Sequence, residues 1–342
     1  MAKVVTMGEI MLRLSPPGYE RFIQAEMFEA RYGGSEANIA ICLANYGHDV
    51  TYITKLPDNA IADCALATLR KYNVDCSSIV RGGKRLGTYY LENGASVRPA
   101  SVVYDRAGSS MAESTEADFD FDKIFEGIDL FHTSGITPVL GEGVARVTKA
   151  ALIAAKKKGI RTSFDLNYRA KLWTDHIEEK RAMMADLMQY VDVCFGNARD
   201  AAMVLGYKDG DTDFINGDYN ICVNKKNMQN VIKTYGFTHL VSSLRESISA
   251  SDNGYSAVVA TPDDIFTGKK FMVHIVDRVG SGDAFASGFL HGMLTGKTKE
   301  DALNFAIASA AIKHTIPGDL NFASVEEVEK LAQGDGTARV QR

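Results

Sequence analysis

The sequence alternates short runs rich in β-branched and aromatic residues with longer helical patterns, and this alternation restricts the fold more than any other feature. The runs that predict buried strands are KVVTMG, DVTYITKL, DLFHTSGI, RTSFDLN, VDVCFGN and HLVSSL. Helical patterns lie between them, over residues 35–46, 60–72, 143–158, 177–189 and 227–235. Such alternation favours a mostly parallel sheet with helices on both faces, whose ligands gather at the carboxyl ends of the strands.

Two segments interrupt this alternation. Residues from about 11 to 32 contain PPG and short polar–apolar alternation, and those from about 84 to 105 predict two strands around the turn ENGAS. We expect these pieces to form a small antiparallel sheet that acts as a lid, inserted into a single α/β domain over residues 1–342. Beyond FMVHIVD the patterns are helical over 281–295, 299–315 and 324–333, and the tail GDGTARVQR is expected to be frayed.

Composition excludes several classes of protein. The formal net charge of −5 disfavours a nucleic-acid-binding surface. No apolar run approaches the roughly 18 residues of a membrane span, and the first residues lack the pattern of a secretory signal. The five cysteines are scattered and the seven histidines show no metal-ligand spacing, so free thiols are expected and a zinc or haem enzyme is not. We expect a cytoplasmic protein without a nucleic-acid or membrane partner.

Two stretches resemble nucleotide-binding motifs but lack residues that these motifs require. HGMLTGKT has His291 where a P-loop needs its first glycine, and it ends a helix instead of joining a strand to one. GSGDAF has Phe285 at the third glycine position of the dinucleotide fingerprint and lies far from the first strand. A P-loop enzyme and a Rossmann dehydrogenase are therefore disfavoured.

The stretch DRVGSGDAFASGF predicts a strand that ends near Asp277, a loop with two glycines, and a helix that begins at residue 281 or 282. The N–H groups of Gly280, Ser281, Gly282 and Asp283 would then form an anion site at the helix N-terminus. A carboxylate beside that site suits a general base that takes a proton from a hydroxyl attacking a phosphate. Alternatively, Asp283 only complements the helix dipole, which is worth about 0.3–1 kcal/mol. The pattern alone leaves both interpretations open.

This stretch resembles the carboxy-terminal motif D-T-x-G-A-G-D-x-F of the ribokinase-like (PfkB-type) carbohydrate kinases, and GGSEANIA resembles their amino-terminal Gly-Gly-x-x-x-Asn-x-Ala stretch. The order of the two motifs, their spacing and the predicted lid pieces agree with the family pattern over nearly the whole chain. The resemblance implies a three-layer α/β/α fold with a lid, ATP-dependent phosphorylation of a sugar, and Asp283 as the base beside the amides of residues 280–283. It also implies that Gly33, Gly34 and Asn38 bind the sugar. Ser281 replaces the usual alanine, a change expected to leave the backbone intact.

Within the family, YDRAGSS and FDLNYR resemble the members that phosphorylate the primary hydroxyl of 2-keto-3-deoxygluconate, an acidic sugar, to its 6-phosphate. Arginine binds a carboxylate through two parallel hydrogen bonds, so Arg106 and Arg169 are candidates to hold the acid group. For each, a surface salt bridge is the alternative. Tyr89 or Tyr90, together with Tyr104, either cover the sugar from the lid or pack within the lid sheet.

The resemblance also implies ATP and Mg²⁺, because the charge of the transferring phosphoryl group must be neutralised. Asp165 and Asn167 end a strand and are expected near the phosphates or their metal. NARD stands where the family usually has Asn-x-x-Glu, which assigns Asn197 and Asp200 to the metal through water.

The nucleotide is expected against residues that depart from the family pattern. Relatives often have a K-x-G-x-x-G turn in the region of VSSLRESISASDNG, where this chain has Leu244, Arg245 and Glu246. We expect Ser243, Leu244 and Arg245 to line the nucleotide and Gly318, in IPGDLN, to close the adenine pocket. A monovalent cation such as K⁺ near Asp277 is typical of the family.

Three other functions remain open at this point. They are a ribokinase-like kinase for another sugar such as fructose or 5-keto-2-deoxygluconate, a non-catalytic nucleotide-binding regulator, and, more remotely, a dehydrogenase. We also expect a homo-oligomer that associates through the apolar outer face of the lid.

Overall fold

The computed structural model describes residues 1–334, so residues 335–342 of the tail expected to be frayed lie outside the described part. Its strands are β1 (Lys3–Met7), β2 (Met11–Ser15), β3 (Glu29–Gly33), β4 (Asp49–Ile53), β5 (Lys55–Leu56), β6 (Val80–Arg81), β7 (Thr88–Glu92), β8 (Ser101–Asp105), β9 (Leu130–Ser134), β10 (Arg161–Asp165), β11 (Val193–Phe195), β12 (His239–Ser247), β13 (Asp252–Ala260), β14 (Ile265–Thr267) and β15 (Phe271–His274). Its α-helices are α1 (Ser35–Asn45), α2 (Ala60–Lys71), α3 (Phe121–Ile124), α4 (Glu142–Lys157), α5 (Ile177–Leu187), α6 (Ala198–Leu205), α7 (Tyr219–Cys222), α8 (Lys225–Tyr235), α9 (Ser281–Leu294), α10 (Lys299–Lys313) and α11 (Val325–Gln333).

The main sheet has the strand order β14-β13-β12-β11-β10-β9-β1-β4, and β15 also pairs with β13. Neighbouring strands from β4 to β12 are parallel, which confirms the expected mostly parallel sheet. At the other edge, β13 pairs antiparallel with β12, β14 and β15. The predicted strand HLVSSL continues to Ser247, and its partner β13 escaped prediction because the turn signal Asn253-Gly254 lies inside that strand.

Helices cover both faces of the main sheet, as the alternation of elements predicts. On one face the core joins α1, α9 and α10 to the sheet through Ile39, Phe289, Ile307, Val50 and Val259. On the other face it joins α4, α5, α6 and α8 to the sheet through Leu152, Leu187, Val204, Val231 and Phe164. None of the helices within residues 1–334 is both long and apolar enough to cross a membrane.

The smaller sheet, which we call the lid, has the strand order β3-β2-β7-β8. Its outer pairs are antiparallel, but β2 and β7 are parallel, so the expectation of a fully antiparallel lid is wrong. No tight turn joins these two strands, which belong to separate excursions of the chain, so nothing forces them to run in opposite directions. Side chains alternate between the lid faces: Tyr89 and Tyr104 oppose each other on the inner face, and Tyr90 and Val103 on the outer.

Candidate active site

A cleft of about 720 Å³ lies between the inner face of the lid and the carboxyl ends of the parallel strands. It brings together residues from distant parts of the sequence. The site residues predicted from the sequence that line it are Gly34, Asn38, Tyr89, Tyr104, Arg106, Asp165, Asn167, Arg169, Asn197, Asp200, Ser243, Arg245, Gly280, Ser281, Gly282 and Asp283.

Four predicted residues lie behind the cleft and not along its wall. Gly33 ends β3 so close to Asp319 that an added Cβ would come within 2.8 Å of its carboxylate. The Leu244 side chain packs against the hydrophobic core, because residues 244–246 continue β12 in place of the turn that relatives often have in this region. Asp277 and Gly318 bind each other, as Gly318 N–H donates to Asp277 Oδ2 at 2.8 Å.

The N-terminus of α9 forms the base of the cleft. Gly280 caps the helix in the left-handed conformation with φ of 79°, and a Cβ there would lie 1.8 Å from the Asp319 carbonyl oxygen, so glycine is required. Ala284 N–H donates to Gly280 O at 2.8 Å, and Ser281 N–H reaches Arg278 O only at 3.4 Å. The amides of residues 281–283 therefore precede the helical hydrogen-bond ladder, as an anion site requires.

The Asp283 carboxylate is held by the first turn of α1. Oδ1 accepts a hydrogen bond from Ser35 Oγ at 2.7 Å, and Oδ2 accepts one from Asn38 Nδ2 at 2.8 Å. Asn167 Nδ2 in turn donates to Ser35 Oγ at 3.0 Å. No side chain caps α9, so the carboxylate is not used as a helix cap. Ser35 was not among the site residues predicted from the sequence. It nevertheless lies within GGSEANIA, three residues before Asn38 and on the same helical face.

Burial raises the pKa of Asp283 above its ordinary value, and the hydrogen bonds from Asn38 and Ser35 only partly oppose this. A second carboxyl group lies nearby at the end of β10. Burial raises the pKa of Asp165 to about 7, which the positive charge of Arg169 opposes and the negative charge of Asp283 reinforces. The Asp165 carboxylate accepts the N–H of Asn167, a residue in the left-handed region with φ of 45°. Bound cations would favour the charged forms of both groups.

The stretch NARD forms the N-terminus of α6 as a capping box. Asn197 Oδ1 accepts the N–H groups of Arg199 at 2.8 Å and Asp200 at 3.0 Å, while Asp200 Oδ2 accepts Asn197 N–H at 2.9 Å. Asn197 Nδ2 donates to the hydroxyls of Tyr219 and Ser242. Since these atoms are committed to the helix cap, direct ligation of a metal by Asn197 does not fit this arrangement.

A metal held through water does fit it. Burial raises the pKa of Asp200 to about 6, which leaves this carboxyl group able to change its charge when a cation approaches. Across residues 1–334, no cluster of three or more His, Cys, Asp or Glu side chains could hold a metal by itself. Mg²⁺ usually keeps several waters and shares its remaining ligands with substrate phosphates. The residues present therefore suit a hydrated Mg²⁺ carried by nucleotide phosphates.

Two arginines lie beside the N-terminus of α9. Arg245 Nη2 donates to Ser281 Oγ at 3.4 Å, and its guanidinium lies 5.9 Å from the centre of the Tyr255 ring. Arg278 also lines the cleft, and burial together with the charge of Arg245 lowers its pKa. The anion site is thus flanked by positive charge. Arg278 was missed because it stands where the family motif has threonine, a residue without charge.

The two arginines expected to bind an acid group have different surroundings. Arg106 is buried, and its Nε and Nη2 donate to the same oxygen of Glu9, from Nε at 2.8 Å. The other oxygen of Glu9 is buried without a hydrogen-bond partner in the described chain. Arg169 is exposed at the mouth of the cleft and donates to the carbonyl of Tyr168 at 3.1 Å. Arg169 is therefore freer to bind an incoming carboxylate than Arg106.

A buried network of charges connects the lid to the loop beneath the anion site. Arg13, on the lid strand β2, donates through Nη1 to Asp319 at 2.6 Å and through Nη2 to Asp277 at 2.8 Å. The Tyr89 hydroxyl also donates to Asp319. The carboxylate of Asp277, where K⁺ was expected, is thus bound by protein groups, and a monovalent cation does not fit beside it. No local motif reveals this network, since Arg13 and Asp319 lie 306 residues apart.

Comparisons with known proteins agree with this geometry. A family model described as pfkB family carbohydrate kinase matches residues 1–324. A 2-dehydro-3-deoxygalactonokinase of Haloferax volcanii is 33% identical over 341 residues, which cover 100% of this chain and 99% of that protein. The crystal structure of a 2-dehydro-3-deoxygluconokinase from Thermotoga maritima has a TM-score of 0.91 and 45% identity, covering 97% of this chain and 98% of that one.

A more distant structure shows the fold alone. Fructokinase with bound ATP from Xylella fastidiosa has a TM-score of 0.77 at 19% identity, covering 97% of this chain and 98% of that one. The three-layer ribokinase-like fold expected from the sequence is confirmed. The chain belongs to the pfkB family of carbohydrate kinases and is an ATP-dependent sugar kinase, similar to 2-dehydro-3-deoxygluconokinases and 2-dehydro-3-deoxygalactonokinases.

Proposed function

We propose that this kinase phosphorylates the primary hydroxyl of 2-keto-3-deoxygluconate to the 6-phosphate, with Asp283 as the general base. The observation that carries the proposal is the position of the Asp283 carboxylate, which Ser35 and Asn38 hold beside the first-turn amides of α9. A base and an anion site in one cleft are the two elements that phosphoryl transfer to an alcohol requires.

In the proposed reaction, Asp283 accepts the proton of the primary hydroxyl, whose oxygen forms a bond to the γ-phosphorus of ATP as the bond to the ADP oxygen breaks. The amides of residues 280–283 donate hydrogen bonds to the charge that develops on the phosphoryl oxygens. Arg245 adds positive charge on the same side. Mg²⁺ neutralises phosphate charge when bound, and Asn197 and Asp200 would hold its waters, together with Asp165 and Asn167 at the end of the neighbouring strand β10.

The choice of an acidic sugar is supported by positive charge on the sugar side of the cleft. Arg169 supplies that charge at the mouth, whereas the charge of Arg106 is already balanced by Glu9. Gly34, Asn38 and the inner-face tyrosines Tyr89 and Tyr104 line the space between the two arginines. The relatives named above act on acids that differ in configuration at one carbon, so the galactonate epimer is the first competing substrate to compare. We place the reaction in the cytoplasm, where ATP is available.

The test is a panel of acceptors with ATP and Mg²⁺: both epimeric acids, the corresponding amides, fructose and 5-keto-2-deoxygluconate. We expect Arg169→Ala to raise KM for the acid about 10- to 100-fold, the effect of losing a charge-assisted hydrogen bond, with little change in kcat. Arg161→Ala is the matched control, because Arg161 is an exposed arginine at the start of β10, the strand whose carboxyl end precedes Arg169. Equal loss of activity on acid and amide would refute the carboxylate role, and no turnover of any acceptor by the wild type would favour a non-catalytic nucleotide-binding protein.

We also propose that the protein forms a homo-oligomer through the outer face of the lid. Phe28 packs edge-on against Tyr90 there with ring centres 6.0 Å apart, and Val103 is 47% exposed beside them. Val103→Glu is expected to convert the oligomer to monomer in light scattering, because it places a charge in the apolar contact. Ile177→Glu is the control, because it makes the same kind of change at an exposed apolar residue outside the lid. It should leave the mass of the oligomer unchanged. A monomeric wild-type protein would refute this proposal.

A further inference from the structure

Lys313 is a charged residue that the proposed reaction does not use, and its surroundings are unusual. It is the last residue of α10 and has no exposed surface. Its ammonium group donates a hydrogen bond to the carbonyl oxygen of Ile316 at 3.0 Å. Lysine is almost never fully buried without a partner for its charge. A negative group close to Lys313 is therefore required.

The loop that follows Lys313 surrounds Asp277. The carbonyl of His314 accepts the N–H groups of Val276 at 2.8 Å and Asp277 at 3.2 Å, and Gly318 N–H donates to the Asp277 carboxylate. The buried ammonium thus binds a carbonyl, that of Ile316, in the same short loop whose Gly318 N–H binds this carboxylate. Burial lowers the pKa of Lys313 to about 8, while the negative charges of Asp277 and Asp319 oppose that shift. Both carboxylates therefore favour the charged form of the ammonium group.

Arg13 completes the balance of charge. Its guanidinium bridges Asp277 and Asp319, and all three side chains are between 3% and 5% exposed. Arg13 thus pairs with both buried carboxylates, Lys313 adds a second buried cation through the adjoining loop, and the four formal charges cancel. A further monovalent cation would add an uncompensated positive charge in a region closed to solvent, which is unfavourable.

The same residues support the anion site. Asp277 Oδ1 accepts the N–H of Val279 at 3.0 Å, immediately before Gly280. The backbone of Asp319 packs so tightly against Gly280 that no Cβ could fit between them. The conformation of the loop that presents the amides of residues 280–283 therefore depends on Asp277 and Asp319 keeping their partners.

We propose that Lys313 and Arg13 are built-in counter-cations that replace the dissociable monovalent cation otherwise expected at Asp277, so that nucleotide binding and phosphoryl transfer need no K⁺. An ammonium group offers three N–H donors and one positive charge to carbonyl and carboxylate oxygens, which are the groups that would otherwise coordinate a monovalent ion. Both residues are positioning residues: they act through the loop and touch neither substrate nor the reacting atoms.

The experiment compares K⁺ with choline at constant ionic strength near 0.1 M, with ATP supplied as its Tris salt. Kinase activity is measured by direct quantification of ADP, because coupling enzymes that need K⁺ themselves would obscure the result. Calorimetry of ATP and Mg²⁺ binding is the second measurement and requires no sugar turnover. For the wild type, we expect kcat/KM and Kd to differ by no more than about twofold between the two salts.

Lys313→Met is the main variant, because methionine keeps the length of the side chain and removes its charge. We expect kcat/KM in choline to fall at least about tenfold, since the two buried carboxylates keep only Arg13 as a counter-cation, and K⁺ to restore activity in part. Lys299→Met is the control, because this lysine lies at the other end of the same helix, is only half-buried and is not expected to respond to K⁺. A thermal melt in each salt reports folding, and a variant stabilised by K⁺ but not by choline supports the proposal.

Two results would overturn this inference. One is a wild-type enzyme whose activity or nucleotide affinity rises severalfold with K⁺. This result would contradict the proposal whether or not the variants fold. The other is a folded Lys313→Met protein with full activity and no response to either salt. The inference relies on the proposed function only for its rate measurement. If the wild type phosphorylates no sugar in either salt, the proposed function fails while the binding measurement still decides the cation question.

Discussion

Replacing Asp283 with asparagine is expected to lower kcat by about 10²–10⁴-fold, the usual contribution of a positioned general base. The amide keeps the size of the side chain and can still accept a hydrogen bond from Ser35 or Asn38, but it cannot take the proton of the sugar hydroxyl. ATP affinity, measured by calorimetry, should change little because the amides of α9 remain. The measurement is ADP release under saturating sugar and ATP.

Asp301→Asn is the matched control for this prediction. Asp301 occupies the third position of α10, as Asp283 does in α9, but it lies outside the cleft. Both substitutions remove a favourable charge from a helix N-terminus, which is worth about 0.3–1 kcal/mol of stability. The large loss of kcat is therefore expected only for Asp283→Asn, which also removes the base. If Asp283→Asn retained wild-type kcat, or if both variants lost the same activity, Asp283 would not be the base.

The pH profile of the wild type gives a second check on Asp283. A base must be deprotonated to accept a proton, so kcat/KM should fall as the pH is lowered through its pKa. Because burial raises that pKa above the ordinary 3.8, we expect the fall to begin at a higher pH than an exposed aspartate would produce. In Asp283→Asn the contribution of Asp283 to this acid limb should be missing, and the limb that remains should follow Asp165 and Asp200, whose pKa values burial raises to about 7 and about 6.

Arg106→Met is expected to lower the free energy of unfolding by about 3–5 kcal/mol, the usual cost of removing one partner from a buried ion pair. Glu9 is the reason: it is 4% exposed, one of its oxygens has no partner in the described chain, and the other is bound only by Arg106. Without the guanidinium, the carboxylate would be buried and unpaired. Denaturant unfolding followed by tryptophan fluorescence measures the loss.

The double variant Glu9→Gln/Arg106→Met separates stability from substrate recognition. Removing both charges should recover most of the lost stability, because no buried charge is left unpaired. If the double variant still binds the acidic sugar weakly, Arg106 contributes to binding as well as to folding. A single Arg106→Met variant as stable as the wild type would contradict the ion-pair argument, and Arg169→Ala should be stable in either case because Arg169 is exposed.

Local sequence patterns were sufficient to predict the strand–loop–helix unit of the proposed anion site, because all of its parts are contiguous. The two glycines, the helix that follows and the carboxylate of Asp283 lie within a few residues, and the backbone geometry of a strand–loop–helix unit orders them. The capping box at Asn197 is equally local, but the prediction made there from the family resemblance was a metal site and not a helix cap. Its hydrogen bonds in the structure show that the cap takes priority for these atoms.

Partners distant in sequence were beyond reach of any local pattern. Arg13 carries no motif, and only the folded lid places it between Asp277 and Asp319. Glu9 follows the first strand as an ordinary polar residue, and the sequence does not indicate that it neutralises Arg106. The parallel pairing of β2 and β7 was missed for a related reason, since strands that no turn connects have no local signal for their direction.

The sequence by itself determined the class of sheet, the position of the helices on both its faces and the strand–loop–helix unit at α9, because hydrophobic periodicity and glycine placement act over a few residues. Only the tertiary structure decided which charges are free to meet a substrate. From the sequence alone, the charged side chains of Arg106, Asp277 and Lys313 could each bind a substrate or an ion. In the structure, each of them is buried and bound by protein partners. Burial makes an unpaired charge so unfavourable that long-range packing, and not local sequence, selects the partner of each one.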